Sequence, residues 1–291
     1  MTKKKVLVTG ADSSLGRYLH VFLDQMGVRE AYTLSGTSRK KSNIEGYEVV
    51  KMLDFTNTEI PSFDEEFDYV FHFAAALPRK YQTPEEIMLI NVERSLEFFE
   101  SIKLKSTSVV CFTSSWDVYK NPTGQISEND AKTEKRGYGL SKLSFERAIG
   151  SLLQDFGCRI VNVRVPCLLV PGVKGNFISG WKSKLKRNEP LILKGCEKTT
   201  NAFIDADSIL QFVIHDLLPS SGPLTLNVGA RSPESFLEIA KTLAAGVGKH
   251  LEYTELDTQG ENIKINTTLA ESFGFTPPDL LSVIKRFGSA L

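Results

Sequence analysis

The segment RGYGLSKLSFE, residues 136–146, places a tyrosine and a lysine four positions apart. On a helix, Tyr138 and Lys142 would share one face, because residues i and i+4 are neighbours. A tyrosine hydroxyl has a pKa of about 10, and a 3-unit decrease needs about 4 kcal/mol. One ammonium about 4 Å away supplies about that much at an effective dielectric constant of about 20. The pair could therefore exchange a proton near neutral pH, although the same spacing also occurs on ordinary amphipathic surfaces.

The rest of the chain alternates short β-rich runs with helical stretches. Strands are predicted over residues 4–10, 31–38, 47–55, 67–76, 107–115 and 158–166. Helices are predicted over residues 14–27, 85–103 and 138–157. This alternation predicts an α/β fold, in which a doubly wound parallel sheet carries helices on both faces.

The pattern becomes irregular in the second half of the chain. We predict a nucleotide-binding domain over residues 1–166, to which residues 201–230 return, and a smaller C-terminal substrate-binding region over 167–200 and 231–291. Ligands of open parallel sheets bind at the carboxyl ends of the strands, so the later segments are expected to cover that edge. Ser232, Pro233 and Glu234 predict the start of a helix, because they match the preferred cap, first-turn proline and acidic first turn.

Composition excludes several classes of partner. Basic and acidic residues number 35 each, so bulk charge favours neither nucleic acid nor a membrane surface. No apolar run approaches the ~18 residues of a membrane span, and the run after Lys3–Lys5 is too short for a signal-peptide core. The four cysteines show no metal-ligand spacing and predict reduced core residues. We expect a cytoplasmic protein with a small-molecule substrate and no metal.

A glycine-containing loop joins the first predicted strand to the first helix. Gly10 permits a tight turn and Gly16 permits close packing of the helix, whose N-terminus, at Ser14 and Leu15, would attract a pyrophosphate. Ser13 replaces the usual middle glycine and could donate its hydroxyl instead. The loop therefore predicts dinucleotide binding.

The end of the second predicted strand indicates which dinucleotide is bound. NAD sites place an acidic residue there to bind the ribose 2′-hydroxyl, but no acid occurs before Glu45. Thr37, Ser38, Arg39 and Lys40 offer hydroxyls and cations, which suit a 2′-phosphate. The sequence thus favours NADP (NADPH) over NAD, with a solvated basic turn as the other interpretation.

Two further strand ends are predicted to contact the cofactor. Asp54, followed by Phe55, could accept a hydrogen bond from the adenine amino group. Ala74, Ala75 and Ala76 follow the fourth strand, where small side chains would let the cofactor lie against the backbone.

An ordered set of motifs carries a family resemblance. TGADSSLG, LDFT, FHFAAA, NVERS, FTSSWDVY, YGLSK, VRVPCLLVPG, GNFISG, NAFIDADS and LNVGA occur in that order. Together they resemble the extended short-chain dehydrogenase/reductase family, the branch of nucleotide-sugar epimerases, dehydratases and ketoreductases (the NAD-dependent epimerase/dehydratase family). The resemblance runs nearly end to end and implies a Rossmann fold, with Tyr138 and Lys142 as catalytic residues and Lys142 also on the nicotinamide ribose.

The resemblance also implies roles around the serine motif. The family's active serine or threonine lies four residues before a tyrosine, here Tyr119, so Ser115 is expected to hold the substrate carbonyl, and Ser114 is expected to be structural. Related 4,6-dehydratases carry an Asp-Glu pair where this chain has Trp116 and Asp117. Asp117 is taken as catalytic, with a plain structural role as the alternative, and Trp116 as a substrate contact.

Other positions follow from the same resemblance. Asn91 and Pro166 are expected beside the cofactor, and a homodimer is expected through the helices near Tyr138 and Asn91. Three further residues are candidate contacts of the substrate nucleotide: Asn176, Lys182 and Lys186. Asn201 stands where many members place an arginine near the nucleotide phosphates.

The chain departs from two reaction types of the family. It has no histidine between His72 and His215, which argues against dehydration and double epimerisation, and His72 itself is expected to be a packed strand residue. The preferred interpretation is NADPH-dependent reduction of a keto group on a 4-keto-6-deoxy nucleotide sugar, with Tyr138 as proton donor. The alternatives are a nucleotide-sugar 4-epimerase with tightly bound NAD and a non-catalytic NADP-sensing regulator.

Overall fold

The computed structural model describes residues 2–40, 42–56, 59–78, 83–120, 122–132, 137–154, 156–173, 175–222, 224–256 and 261–290. Its strands are β1 (Lys4–Thr9), β2 (Tyr32–Ser38), β3 (Val49–Met52), β4 (Glu66–His72), β5 (Lys103–Ser115), β6 (Gly124–Ile126), β7 (Arg159–Val165), β8 (Cys167–Leu169), β9 (Leu191–Lys194), β10 (Thr199–Thr200), β11 (Phe203–Asp205), β12 (Leu224–Asn227), β13 (Glu234–Ser235), β14 (Tyr253–Leu256) and β15 (Ile263–Ile265). Its α-helices are α1 (Ser14–Gln25), α2 (Pro84–Met88), α3 (Arg94–Ser101), α4 (Tyr138–Gln154), α5 (Phe177–Lys186), α6 (Ala206–Gln211), α7 (Phe236–Val247), α8 (Thr268–Glu271) and α9 (Leu280–Ser289). Short 3₁₀ turns cover Arg29–Ala31, Trp116–Val118 and Glu128–Asp130, and π-helical turns cover Leu89–Glu93 and Phe212–Leu217.

The main sheet has seven strands in the order β12-β7-β5-β4-β1-β2-β3. The pairs β1–β2, β1–β4, β2–β3 and β4–β5 are parallel. Strand order reverses at β1, so the carboxyl ends of β1 and β4 flank the crevice in which doubly wound sheets bind ligands. The predicted α/β Rossmann fold is confirmed.

Burial explains why these segments form a covered sheet. Val6, Leu7 and Val8 of β1 are all buried, as expected of a parallel strand with helices on both faces. In α1 the buried residues recur at helical spacing, and they are Leu15, Leu19, Phe22 and Leu23.

An aromatic core fixes α4 against the carboxyl half of the sheet. Phe145 of α4 contacts Phe112 edge-on, with ring centroids 5.2 Å apart. His72, the last residue of β4, stacks on the other side of Phe145 at 5.1 Å, and Phe99 of α3 packs nearby. This packing sets the position of the first turn of α4, which carries Tyr138 and Lys142.

The chain divides into two compact units. The first comprises Met1–Lys120, Ala131–Arg164 and Val213–Leu226, and the second comprises Asn121–Asp130, Val165–Phe212 and Asn227–Leu291. The segment that returns to the sheet is therefore shorter than the predicted 201–230, and the excursion at 121–130 was not predicted. Assignment of the second unit to substrate binding stays a prediction.

The second unit has its own core and small sheets. One sheet has the order β13-β10-β15-β6, and two strand pairs, β8–β11 and β9–β14, are parallel. Buried residues of α5, α7 and α9 share one hydrophobic cluster with β9. Over the part of the chain that the structure describes, no helix is both long enough and apolar enough to cross a bilayer.

The predicted helix start at Ser232 is wrong by three residues. Glu234 and Ser235 instead pair with Thr200 and Thr199 as an antiparallel strand. Ser235 then caps α7, where its hydroxyl accepts from the Glu238 amide at 3.1 Å. Strand pairing with a distant segment thus displaces a cap that local preference favours.

Helices α7 and α9 approach closely at a pair of glycines, which generates a stability prediction. A Cβ on Gly246 would lie 2.6 Å from the Lys285 carbonyl oxygen and 3.1 Å from Gly288 Cα. Gly246→Ala should therefore lower the free energy of unfolding by about 1–3 kcal/mol in urea titrations. The matched control is Gly180→Ala in α5, where a Cβ has open space and helix propensity favours alanine by about 1 kcal/mol. Equal effects of the two variants would contradict the close helix contact.

Candidate active site

The loop after β1 has the backbone geometry that a dinucleotide needs. Gly10 has φ +68°, and a Cβ there would lie 2.9 Å from the Ala74 nitrogen. A Cβ on Gly16 would lie 2.5 Å from the Gly10 carbonyl oxygen. Both positions therefore require glycine, because β1, β4 and α1 meet without room for a side chain.

Ser13 caps α1 in place of the usual glycine. Its Oγ accepts from the Gly16 amide at 3.0 Å, so the expected hydroxyl donation to phosphate is not its only task. Within the described ranges, the amides of Ser14 and Leu15 have no acceptor, as expected at the first turn of a helix. These N–H groups and the helix dipole form a site for an anion.

Tyr47 also supports the loop, although no sequence motif identifies it. Its hydroxyl donates to the Gly16 carbonyl oxygen at 2.6 Å. Its ring lies against Gly36 of β2, where a Cβ would be 3.0 Å from the Tyr47 Cδ1. A lone tyrosine in a predicted strand carries no pattern that marks such a contact.

The end of β2 presents its cations to solvent. Arg39 and Lys40 are exposed, whereas Thr37 and Ser38 are buried. The Thr37 carbonyl accepts from the Ala11 amide at 2.8 Å, which ties β2 to the glycine loop. Neither cationic side chain has a carboxylate partner among the residues that the structure describes. The pair is thus available to an anionic ligand.

Asp54 and Phe55 have different surroundings. The Asp54 Oδ1 accepts from the Thr56 amide at 3.0 Å and from the Thr56 hydroxyl at 2.8 Å, which closes a local turn. Phe55 is buried and meets Phe98 edge-on at 6.1 Å between ring centroids. The Phe55 side chain is therefore part of the core, and its expected contact with the cofactor stays a prediction.

The ends of β1 and β4 are joined by a buried pair. The Thr9 Oγ1 lies 2.8 Å from the His72 Nδ1 and accepts from the Ala74 amide at 3.3 Å. Burial lowers the pKa of His72 to about 3, and the nearby Lys142 charge adds to that effect. His72 is therefore a neutral packed residue, as the sequence predicted.

Asn91 lies in a π-helical turn and all its observed partners are protein groups. Its amide nitrogen donates to the Ala76 carbonyl at 3.1 Å and to the Ser141 hydroxyl at 2.9 Å. Its Oδ1 accepts from the Ala76 amide at 2.6 Å. Asn91 thus links the segment after β4 to α4, and its expected contact with the cofactor stays a prediction. Ala76 is buried under it, whereas Ala74 and Ala75 remain partly exposed.

Tyr138 and Lys142 lie together at the start of α4. The Lys142 Nζ is 6.0 Å from the centroid of the Tyr138 ring. Lys142 is only 4% exposed, and within the described part of the chain its ammonium has no hydrogen-bond or ion-pair partner. Burial lowers the pKa of Lys142 to about 8, although Glu146 on the next turn opposes the change. An ammonium on an almost fully buried side chain is poorly solvated, so the site suits a ligand oxygen.

The pKa of Tyr138 moves in the direction opposite to the sequence expectation. Burial raises it, and the negative charge of Asp117 raises it further. Desolvation dominates because the phenolate would be buried, while Lys142 lies near the ring rather than on the hydroxyl. The phenol is consequently protonated at neutral pH, which is the state that a proton donor requires.

Ser115 and Asp117 are bonded to each other at the end of β5. The Ser115 hydroxyl donates to the Asp117 Oδ2 at 3.0 Å and accepts from the Asp117 amide at 3.1 Å. Asp117 is exposed as a residue, but partial desolvation of its carboxyl group raises its pKa, and the bond from Ser115 opposes this. Ser114 is buried, and its hydroxyl has no partner among the described residues. Trp116, which lies between Ser115 and Asp117 in the sequence, is half-buried.

Two of the expected substrate contacts in the second unit, Asn176 and Lys182, form hydrogen bonds with protein groups. Asn176 caps α5, where its Oδ1 accepts from the Ser179 amide at 2.8 Å and its amide donates to the Leu168 carbonyl at 3.1 Å. The Lys182 ammonium donates to the Phe287 and Ala290 carbonyls at 2.7 Å and 2.6 Å, at the end of α9. These groups satisfy helix termini, and their contact with a substrate stays a prediction.

The other predicted positions of the second unit differ in exposure. Lys186, the last residue of α5, is exposed, and Pro166, directly before β8, is buried. Asn201 donates to the Ala230 and Ile265 carbonyls at 2.8 Å and 3.0 Å, and accepts from the Ile265 amide at 2.7 Å. It therefore joins the residue after β10 to β15 and to Ala230.

The described residues fit a dinucleotide on three observations. Two glycines leave a cradle that a Cβ would fill, the first amides of α1 lack acceptors, and a buried ammonium lacks a partner. Strand order and the glycine loop together define a Rossmann fold suited to a dinucleotide, and the Tyr138–Lys142 pair lies in the same unit.

Comparison with known families agrees with this class. The model described as "NAD dependent epimerase/dehydratase family" matches residues 6–229. The chain therefore belongs to the NAD-dependent epimerase/dehydratase family, an extended branch of the short-chain dehydrogenases/reductases. The resemblance read from the motifs is confirmed.

Two curated relatives are distant and longer. An uncharacterized UDP-glucose epimerase, YtcB, from Bacillus subtilis is 25% identical over 174 residues, 55% of this chain and 55% of the relative. A UDP-2-acetamido-2,6-beta-L-arabino-hexul-4-ose reductase from Pseudomonas aeruginosa is 26% identical over 176 residues, 60% of this chain and 38% of the relative. The alignments thus span about half, and little over a third, of these relatives.

Solved structures share the fold along the whole chain. UDP-glucuronic acid 4-epimerase from Bacillus cereus, in complex with NAD, superposes with a TM-score of 0.80 at 20% identity, over 98% of this chain and 96% of the other. ADP-L-glycero-D-manno-heptose-6-epimerase from Helicobacter pylori gives a TM-score of 0.79 at 19% identity, over 98% and 95%. At such identities the likeness shows the fold alone.

The unpartnered ammonium predicts an unusual gain in stability on substitution. The pKa of Lys142 is about 8 in the folded protein and 10.5 for the reference side chain. The destabilisation caused by burying the protonated amine is therefore complete below pH 8, and it disappears as the pH rises towards 10.5. Lys142→Met should therefore raise the free energy of unfolding at pH 7 by up to about 3 kcal/mol in urea titrations, and the gain should shrink at pH 10. The exposed control, Lys186→Met, should change nothing. A Lys142→Met protein that is less stable at pH 7 would contradict the assignment.

Proposed function

We propose that the protein is an NADPH-dependent ketoreductase that acts on a 4-keto-6-deoxy nucleotide sugar. The observation that carries the proposal is the arrangement at the start of α4. A phenol that stays protonated at neutral pH lies beside a buried ammonium that lacks a protein partner. Reduction of a carbonyl needs a proton donor and a charge that stabilises the donor after proton transfer, and these two groups supply them.

Different described residues would bind different parts of the cofactor. The Ser14 and Leu15 amides would hold the pyrophosphate, Arg39 and Lys40 the 2′-phosphate, and Lys142 the hydroxyls of the nicotinamide ribose. Once bound, NADPH supplies the hydride that the substrate carbonyl carbon accepts. The preference for NADP comes from the exposed cations at the end of β2 and from the lack of an acidic residue between Thr37 and Glu45.

The proton path is short. The carbonyl oxygen of the substrate takes the proton from the Tyr138 hydroxyl, which leaves a phenolate beside the Lys142 ammonium. Ser115 would orient the carbonyl oxygen, although its own proton is directed to Asp117 in the structure. The Ser115 hydroxyl would turn from Asp117 to the substrate oxygen, and its bond from the Asp117 amide would keep it close to its present position.

The substrate class is supported by one relative. The reductase from Pseudomonas aeruginosa carries a keto nucleotide sugar in its name. Lys186 is the remaining exposed candidate for the nucleotide, since Asn176 and Lys182 are engaged elsewhere. A homodimer through α4 and the helices around Asn91, and a cytoplasmic location, belong to the same proposal.

A second candidate is a nucleotide-sugar 4-epimerase with tightly bound NAD. It is favoured by the relative YtcB, named as an epimerase. An epimerase removes and returns the same hydride, so it would be purified with its cofactor, whereas a reductase exchanges NADPH with solvent. Absorbance and cofactor extraction of the purified protein distinguish the two.

Tyr138→Phe tests the proton donor. The variant should lose at least a hundredfold in the rate of NADPH oxidation with a panel of keto nucleotide sugars, because general acid catalysis contributes about 10²–10⁴-fold. NADPH affinity, followed by fluorescence titration, should stay near the wild-type value because the ring remains. Wild-type turnover in Tyr138→Phe would overturn the catalytic assignment.

Arg39→Ala tests the 2′-phosphate site. Loss of a charge-assisted bond should weaken NADPH binding by about tenfold or more, because such bonds contribute about 1.5–3 kcal/mol. NADH binding should hardly change, since NADH lacks the phosphate. Arg187→Ala, at an exposed arginine paired with Glu189, serves as the matched control. Equal losses for both nucleotides would rule out the assignment.

A further inference from the structure

A buried ion pair lies one helical turn beyond Lys142. Glu146 of α4 accepts from both sides of the Arg164 guanidinium of β7, with Nη2–Oε2 at 2.7 Å and Nε–Oε1 at 3.1 Å. The two side chains are 6% and 7% exposed. This two-pronged geometry is the strongest form of an Arg–carboxylate contact.

The same arginine reaches the segment that follows Ser115. Arg164 Nη1 donates to the Tyr119 hydroxyl at 3.0 Å. The Tyr119 amide in turn donates to the Trp116 carbonyl at 3.0 Å, and closes the 3₁₀ turn that the Ser115 side chain begins. One side chain thus connects α4, β7 and the turn that carries the serine and Asp117.

Stability alone does not account for such a pair. Removing two charges from water costs several kcal/mol per ion, and apolar residues of equal volume often replace a buried pair without loss. The position of the pair offers another account, because Glu146 is the nearest carboxylate to Lys142 along α4. The groups that face Lys142 are Glu146 and Tyr138 from its own helix and His72 from β4, which is neutral.

The guanidinium of Arg164 orients the Glu146 carboxylate. Both oxygens of Glu146 accept from Arg164, and within the described residues the carboxylate forms no direct bond with the Lys142 ammonium. Its charge still favours the protonated amine through space. The ammonium is therefore supported electrostatically and left open to a ligand.

We propose that the Glu146–Arg164 pair positions the active site: it locks α4 to β7 and to the Ser115 turn, and it keeps the Lys142 amine charged without occupying it. The catalytic consequence rests on the proposed function, whereas the effect on Lys142 does not. Glu146 and Arg164 are positioning residues, since they act through Lys142 and Tyr119.

Glu146→Gln tests the electrostatic part in the full-length protein. The change keeps the shape and removes the charge, so the pKa of the Lys142 amine should fall by about one unit. Competitive labelling with trace acetic anhydride across a pH series, read by peptide mass spectrometry, reports that pKa without turnover. Glu238→Gln, which breaks an exposed pair with Lys241, is the matched control and should leave Lys142 unchanged.

A double variant keeps the test valid if the lone Arg164 charge unfolds the protein. Glu146→Gln with Arg164→Met removes both charges, so the pKa of Lys142 should lie between those of the wild type and Glu146→Gln. An unchanged Lys142 pKa in folded Glu146→Gln, or a double variant below the single one, would overturn the proposal.

Turnover separates this proposal from the proposed function. If the wild type oxidises NADPH with a keto sugar, the alkaline limb of its rate profile should move to lower pH in Glu146→Gln by the shift measured on Lys142. A rate profile that stays in place while the rate falls uniformly would indicate a merely structural pair and overturn the proposal. A wild type without turnover, combined with the labelling shift, would refute the ketoreductase and leave the pair's effect on Lys142 supported.

Discussion

The cost of placing a positive charge inside the protein organises this active site. Lys142 is almost fully buried and no described group neutralises it directly, so a ligand hydroxyl or phosphate oxygen bound there would stabilise the charge. Burial brings the pKa of the amine down to about 8, yet the amine remains mostly protonated at neutral pH. The phenol of Tyr138 responds to the same dry environment in the opposite sense and keeps its proton. One physical effect therefore prepares both members of the pair.

That arrangement depends on contacts that hold α4 against the rest of its unit. The aromatic contacts of Phe145 fix its middle, Asn91 ties Ser141 to the segment after β4, and Arg164 holds Glu146 from β7. Each contact comes from a different strand of the sheet or its connection. The precision of the site is thus a property of the sheet and its helices, whereas the loops supply the exposed groups, such as Arg39 at the end of β2.

Periodic and local signals made much of this predictable. Strand–helix alternation gave the fold, and the glycines at Gly10 and Gly16 gave the phosphate loop, because their roles depend on neighbouring backbone. Side chains that bond across the fold were not predictable. Lys182 and Asn176 look like ligand contacts in the sequence. In the structure Lys182 donates to a carbonyl of the distant helix α9, and Asn176 caps its own helix, α5. The predicted direction of the Tyr138 pKa shift was wrong, because the spacing indicates that Lys142 is near but does not indicate how far the phenol is desolvated.

The π-helical turn at Leu89–Glu93 has a consequence for how this segment can change. Such a turn accommodates one residue more than a regular helix would over the same length. Removing a single residue there would restore ordinary α geometry and leave the helical residues on either side near their present orientation, so the change would fall on the turn itself. Asn91 would then face a different direction from the residues that anchor it now. The segment should therefore tolerate exchanges of side chains far better than it tolerates changes in length.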